Sequence, residues 1–368
     1  MRLRHPDGST VHLAYCSNVH PADDLDGVAA QLERYAAPVR ERLGVQTLGV
    51  GLWVAAPALA DASAAPRLSA RLRRLGLEVV TLNGFPYRAF HAPVVKLGVY
   101  RPDWTDPARR DYTLALADLL AALLPDDVAE GSISTLPLGW RDGWSDADQG
   151  TAIAALHDVA EGLERIQART GRRIRLALEP EPGCAVETVA QACDALAGVA
   201  PDWIGVCLDA CHLAVQFETP ADAVARLREA GLAIVKAQVS SALRVARDER
   251  ELLSGYDEPR FLHQVRERVD GRVAGVDDLP DVAFLPGTGE WRVHFHVPVH
   301  RAPHSTQAEL VETLGELVGG PAPLTRHLEV ETYTWSVLAG DEDLVEGLAS
   351  ELAWTRDRLV ALGMEAIG

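Results

Sequence analysis

Residues 173–182 read RIRLALEPEP, residues 204–213 read IGVCLDACHL, and residues 327–335 read HLEVETYTW. Each stretch opens with a short apolar, β-rich run. The runs are Ile174–Glu179, Ile204–Asp209 and Leu328–Tyr333: Glu179 stands before Pro180, Asp209 closes its run, and Glu331 lies within the third beside Glu329 and Tyr333. Runs of this length, closed by polar or turn residues, read as buried parallel strands. Alternate strand residues share a face, so Ala177, Glu179 and Glu181 point together, as do Glu329, Glu331 and Tyr333. In a barrel of parallel strands, functional groups sit where strands end.

Outward from these three stretches the pattern repeats along the chain. Further runs lie at Val11–Asn18, Leu48–Val54, Glu78–Asn83, Gly131–Leu136, Ile234–Ser240 and Val293–Val297, giving nine strand candidates in all. Amphipathic stretches separate them: Ala22–Arg42, Ala108–Leu124, Asp146–Arg169, Pro220–Ala230, Glu258–Val269, Thr306–Val318 and Asp341–Ala361. Gly44, Gly76, Gly171 and Gly231 stand where helices should close. Alternation of this kind predicts a parallel sheet with helical crossovers, here a (β/α)8 TIM barrel. A doubly wound sheet is the rival, and no GxGxxG follows a first strand. Eight strands fill a barrel, so either Ile234–Ser240 or Val293–Val297 must lie outside it. Residues 244–290 form the least regular part and read as an insertion over the barrel mouth. No low-complexity linker divides residues 1–368, which are expected to form one domain.

Composition excludes several function classes. The 368 residues are 48% hydrophobic with a formal net charge of -18. That acid excess would repel a nucleic-acid backbone. Five cysteines, at 16, 184, 193, 207 and 211, form no CxxC pair, so neither a disulfide framework nor a zinc ribbon is indicated. The first ten residues, MRLRHPDGST, lack an apolar signal core, and no apolar run reaches the ~18 residues of a bilayer span. A cytoplasmic location is expected.

The chemistry lies in the order of polar side chains. Glu179 ends one strand, Asp209 ends the next with His212 three residues on, His294 and His296 share a face of RVHFHVPVH, and Glu331 shares a face of the last run with Glu329 and Tyr333. Carboxylates gathered at one apolar mouth would repel each other, and each costs several kcal/mol, roughly, unless paired or metal-bound. A divalent cation resolves that conflict, and a Glu/Asp/His set suits Mn, Mg, Zn or Fe. Lys236 and Gln238 face inward from IVKAQVSS, with Ser240. Lys236 could serve as carboxylate counter-ion, proton shuttle or Schiff-base nucleophile. Asn18 and His20 after the first strand, and Asn83 after the third, are candidate substrate contacts, walled by the aromatic loop Phe85–Trp104. Cys211 reads as a buried structural thiol.

LALEPEP, LDACH and LEVETYTW resemble the metal-binding strand ends of xylose-isomerase-like TIM barrels, the sugar isomerase/epimerase group. The resemblance implies a metal held by Glu179, Asp209, His296 and Glu331, with His212 as the substrate-side histidine of Asp-x-x-His. It also implies that Glu179 and Glu331 act as acid and base on opposite faces of a substrate carbon. A likeness over nearly the whole chain is to the metabolite traffic protein EboE family. It is carried by YCSNVHP, LNGFPY, VYRPDW, GSISTLP, LALEPEP, QVSSAL, HFHVPV and LEVETYTW. That family belongs to a bacterial gene cluster associated with export or trafficking of secondary metabolites, whose other proteins would be partners. One departure stands out: the strand after Asp-x-x-His, where many epimerases carry the metal histidine, reads KAQVSS. Either Gln238 or His296 takes that place.

Three functions follow as expectations. The first is metal-dependent isomerisation or epimerisation of a small polyhydroxylated or hydroxycarbonyl metabolite. The second is a binding or trafficking component that holds a metabolite in the same pocket without turnover. The third is a metal-dependent hydrolase or lyase; its nuclease branch needs a basic groove, against the charge of -18.

Overall fold

The computed structural model describes residues 1–20, 22–88, 92–338 and 343–367. Its centre is a closed barrel of eight parallel strands. Seven come in succession: β1 (Thr10–Cys16), β2 (Leu48–Trp53), β3 (Thr81–Asn83), β4 (Glu130–Thr135), β5 (Arg173–Leu178), β6 (Ile204–Asp209) and β7 (Ile234–Val239). The chain then leaves the wall to build a second sheet from β8 (Ala242–Val245), β9 (Val265–Val269), β10 (Arg272–Val276) and β11 (Trp291–His296). It returns as β12 (His327–Val330), which pairs with β7 on one side and β1 on the other and so closes the ring.

Local chemistry explains the elements. β6 is buried along its whole length, as a strand covered on both faces must be. The crossover helix Asp146–Thr170 starts on a capping box formed by Ser145 and Asp148. Gly44, Gly76, Gly171 and Gly231 all have left-handed φ, between 65° and 71°. Gly51 on β2 is required by a different constraint, because the Glu329 carboxyl occupies the space where a Cβ would stand. Beneath the barrel, Arg2–Arg4 pairs antiparallel with β1 and with Glu365–Ile367, closing the N-terminal rim. No helix among the described residues is long and apolar enough to cross a membrane.

One open alternative is resolved and two expectations are corrected. Of the two surplus strand candidates, Ile234–Ser240 belongs to the barrel, and Val293–Val297 falls in β11, outside it. The stretch 244–290 is not irregular. It carries most of a four-stranded antiparallel sheet in the order β8-β11-β9-β10, with an apolar core of its own that includes Leu243, Val265, Val293 and Phe295. Glu258–Val269 is not a helix: it ends in β9, and the Glu258 carboxylate accepts the backbone N–H groups of Arg260 and Phe261. The misreading has a physical cause. Arg266 and Glu267 read as a solvated helix face, yet both are buried. Arg266 donates to Glu187 (3.1 Å) and to the Val276 carbonyl (2.9 Å). Glu267 accepts from the backbone of Gly287 and Thr288 and from the Trp291 indole. The last helix is described from Leu344; its expected start at Asp341, and residues 89–91 of the aromatic loop, lie outside the described residues.

Candidate metal centre

The C-terminal mouth collects the acids that close the strands. Glu179 follows β5, its backbone N–H bonded to the Thr135 carbonyl of β4 (3.0 Å). Asp209 ends β6, and its Oδ1 accepts from the His212 backbone (2.9 Å) and the Ser240 hydroxyl (2.8 Å). Glu331 follows β12 and accepts from the side-chain amides of Asn18 (2.6 Å) and Asn83 (3.2 Å). All three acids are buried. Glu179, Asp209 and Glu331 each place a ligand atom within 4.8 Å of the others, and Asp209 forms a second such triplet with His212 and His296.

Hydrogen-bond bookkeeping tests whether a cation fits here. Glu179 Oε2, Asp209 Oδ2 and His296 Nε2 are buried and have no hydrogen-bond partner among the described residues. Buried acceptors are almost always satisfied, so three orphans in one cluster need an explanation. Lone pairs with no donor, gathered from two carboxylates and an imidazole, are the donor set a divalent cation uses. The residues present therefore fit the metal expected from sequence.

Tautomers distinguish the histidines. His296 Nδ1 lies 2.8 Å from the Glu331 carbonyl oxygen, which can only accept. Nδ1 therefore carries the hydrogen and Nε2 the lone pair. His212 Nδ1 faces the Pro180 carbonyl in the same way (2.9 Å), but its Nε2 is already engaged with His294 Nε2 at 3.0 Å. The side-chain amide of Gln264 lies against the other nitrogen of His294 (2.7 Å). A third triplet, Cys211 with His294 and His296, competes poorly. Burial, with Asp209 and Glu331 nearby, pushes the Cys211 thiol well above its ordinary pKa.

The electrostatics agree. Burial, then Glu331 and Asp209, raise Glu179 well above the carboxylate range. Burial, then Asp209 and Glu329, do the same to Glu331. Burial lowers His296 to about 4, and lowers His212 and His294 too, which favours the neutral imidazole, the form a metal ligand needs. A bound cation would invert the carboxylate logic and favour the charged forms.

Other sequence candidates are placed elsewhere. Lys236 lies beneath the mouth in an ion pair with Glu329, both fully buried. Burial opposes its charge, but Glu329 more than offsets this and raises the Lys236 pKa. That is the counter-ion role, away from the cavity wall. Gln238 sits beside Asp209 and Glu329 in register, its side-chain amide buried without a partner. His20 is not brought to the cavity. The 3-10 turn Ser17–Val19 carries it away, its ring stacks on Tyr35 at 4.3 Å, and it contacts the Tyr15 hydroxyl. A polar contact at the cavity and its support behind it were not singled out in the sequence. Tyr100 donates to Glu181 (2.8 Å), whose carboxyl burial pushes up to about 8, and the Gln264 amide reaches the Tyr100 hydroxyl (3.2 Å). Tyr100 stood inside the flagged aromatic loop; Gln264 was hidden in the segment mistaken for a helix.

Comparison with known proteins places this geometry. A family model described as a xylose isomerase-like TIM barrel matches residues 19–277. A xylose isomerase-like TIM barrel protein from Mycobacterium smegmatis, in complex with magnesium, is similar with a TM-score of 0.57 at 12% identity, over 96% of this chain and 97% of that one. The IOLI protein with a binding zinc atom gives 0.53 at 13%, over 95% and 99%. An L-ribulose 3-epimerase gives 0.52 at 14%, over 96% of each chain. No curated protein matches the sequence.

Proposed function

Because the chain belongs to the xylose isomerase-like TIM barrel family, we propose that it is a divalent-metal-dependent isomerase or epimerase of a small polyhydroxylated or hydroxycarbonyl metabolite. The observation that carries this reading is that Glu179 Oε2, Asp209 Oδ2 and His296 Nε2, buried and unpartnered among the described residues, belong to two ligand triplets that share Asp209. Glu179, Asp209, His296 and Glu331 would hold the ion. Structurally similar proteins contain magnesium or zinc, so the coarse metal class fits while its identity stays open. When bound, a divalent cation supplies the charge that polarises a carbonyl and hydroxyl pair.

The chain's own residues do the rest. Glu331 is oriented by Asn18 and Asn83, and Glu179 faces the cluster from β5. A carboxylate from each side of the mouth suits removal and return of a proton at a carbon next to the carbonyl. His212, its ring nitrogens held by Pro180 and His294, lines the cavity and would meet the substrate through an exchange of its contact with His294. His296 is preferred to Gln238 as the fourth ligand, because its tautomer is fixed with the lone pair free. Residues 1–368 are read as one unit: the barrel supplies the acids and the inserted sheet supplies His294 and His296.

The finer assignment is to the EboE metabolite traffic proteins. The motifs spread from YCSNVHP to LEVETYTW support it, and other products of such a gene cluster would then be its partners. The test is carbon-bound hydrogen exchange. Protein loaded with Mn²⁺ in deuterated water, offered a panel of hydroxyketones, should wash out an α C–H signal by NMR, and Glu331→Gln should abolish it. Protein that retains no Mn²⁺, and Glu331→Gln equal to the parent in every assay, would end this reading.

A further inference from the structure

Building on the metal-dependent reading, we infer that the substrate is an α-hydroxycarbonyl or polyol compound bearing an apolar group, not a bare sugar. The cavity over the candidate metal cluster opens to solvent at its mouth. Its deep end is polar, built from the acids, histidines and asparagines already described. Its walls are Phe85, Pro86, Val99, Phe261, Leu262 and Tyr333.

The change of character is abrupt. The Tyr333 ring lies 4.8 Å from His296, centroid to centroid, and meets Phe261 edge to face at 5.0 Å. Opposite in sequence and near the third strand, Phe85 meets Tyr100 edge to face at 6.0 Å. Val99 and Leu262 are half-buried and lie toward the rim. The Lys96 ammonium at this wall is directed to Asp278 at 2.6 Å, and the Arg260 carbonyl behind it accepts from the backbone of Val95 (2.8 Å) and Lys96 (2.9 Å). A sugar hydroxyl laid against the side chains of Pro86, Val99 or Leu262 would leave water for a surface that offers no donor or acceptor. Aromatic faces can stack on a sugar ring, but Pro86, Val99 and Leu262 have no such face. An apolar group fills the space by burial alone.

The experiment uses full-length protein loaded with Mn²⁺ and compares D-fructose with 2-hydroxyacetophenone by calorimetric titration. Mn²⁺ binding is measured first. The aryl hydroxyketone should bind at least tenfold more tightly than D-fructose, and Leu262→Ser or Val99→Ser should cut that ratio to threefold or less. D-fructose binding as tightly as 2-hydroxyacetophenone, neither probe binding to Mn²⁺-loaded protein, or a ratio unmoved by both variants overturns the inference and leaves the metal reading standing. Failure to bind Mn²⁺ at all overturns the metal reading, and this inference with it.

Discussion

The Nδ1 nitrogen of His296 lies 2.8 Å from the carbonyl oxygen of Glu331, so the backbone of one candidate ligand fixes the tautomer of another. β11 and the end of β12 are thereby tied together at the metal cluster. Removing the imidazole should weaken Mn²⁺ binding about 100-fold, whereas His212→Ala, whose Nε2 is committed to His294, should cost less than tenfold. Calorimetric titration of both variants checks this; equal losses would show that the tautomer argument misassigns the ligand.

Metal removal should also be visible in stability. A ligand at about 100 times its Kd adds roughly 2.7 kcal/mol to the folded state. Chelation should therefore lower Tm by a few degrees. In a Glu179→Gln/Glu331→Gln double variant, where the ion loses two of its ligands, Tm should no longer respond to the chelator. Scanning calorimetry with and without chelator gives the readout.

The buried Lys236–Glu329 pair makes a sharper claim. Lys236→Met leaves Glu329 buried and uncompensated, a loss of about 3–5 kcal/mol. Adding Glu329→Gln should recover most of that. Urea unfolding of the single and double variants decides it, and a double variant no better than the single would show that the pair is not the source of the loss.

Gly51→Ala tests the same layer from the other strand. A Cβ there would overlap the Glu329 carboxyl, and backbone on β2 cannot retreat without opening the barrel seam. A loss of about 1–3 kcal/mol is expected from overpacking, more if the ion pair breaks. A Tm within a degree of the parent would contradict the close approach.

Acid stability has a separate locus at the N-terminal rim. Burial alone would raise Glu78, but hydrogen bonds from His12 and Arg2 hold its carboxyl down to about 2, from 4.5. A depressed carboxyl contributes stability that is fully present above pH 4.5 and is lost as pH falls through about 2. The gap between parent and Glu78→Gln should be on the order of 3 kcal/mol near neutrality and should close toward pH 2. A gap independent of pH would place the effect in packing instead of charge.

The sequence made some of this plain and hid the rest for physical reasons. IGVCLDACH reads as a strand, its end and its cap, because a fully buried strand is uniformly apolar and Asp209 is both N-cap and candidate ligand. Glu179 and Glu331 were legible for the same reason. His296 was harder, since nothing in HFHVPV says that its strand belongs to a second sheet folded over the mouth. His20 was misplaced because a single 3-10 turn decides which way a loop side chain faces. Arg266 and Glu267 misled most: charges neutralised by distant partners are indistinguishable in sequence from charges bathed in water.

The inserted sheet leaves the wall after β7 and returns only at β12, carrying His296 with it. Roof and anchor are thus one piece of chain. A substitution that shifts the inserted sheet would therefore carry the imidazole with it, so damage far from the mouth in sequence would be felt at the candidate ligands.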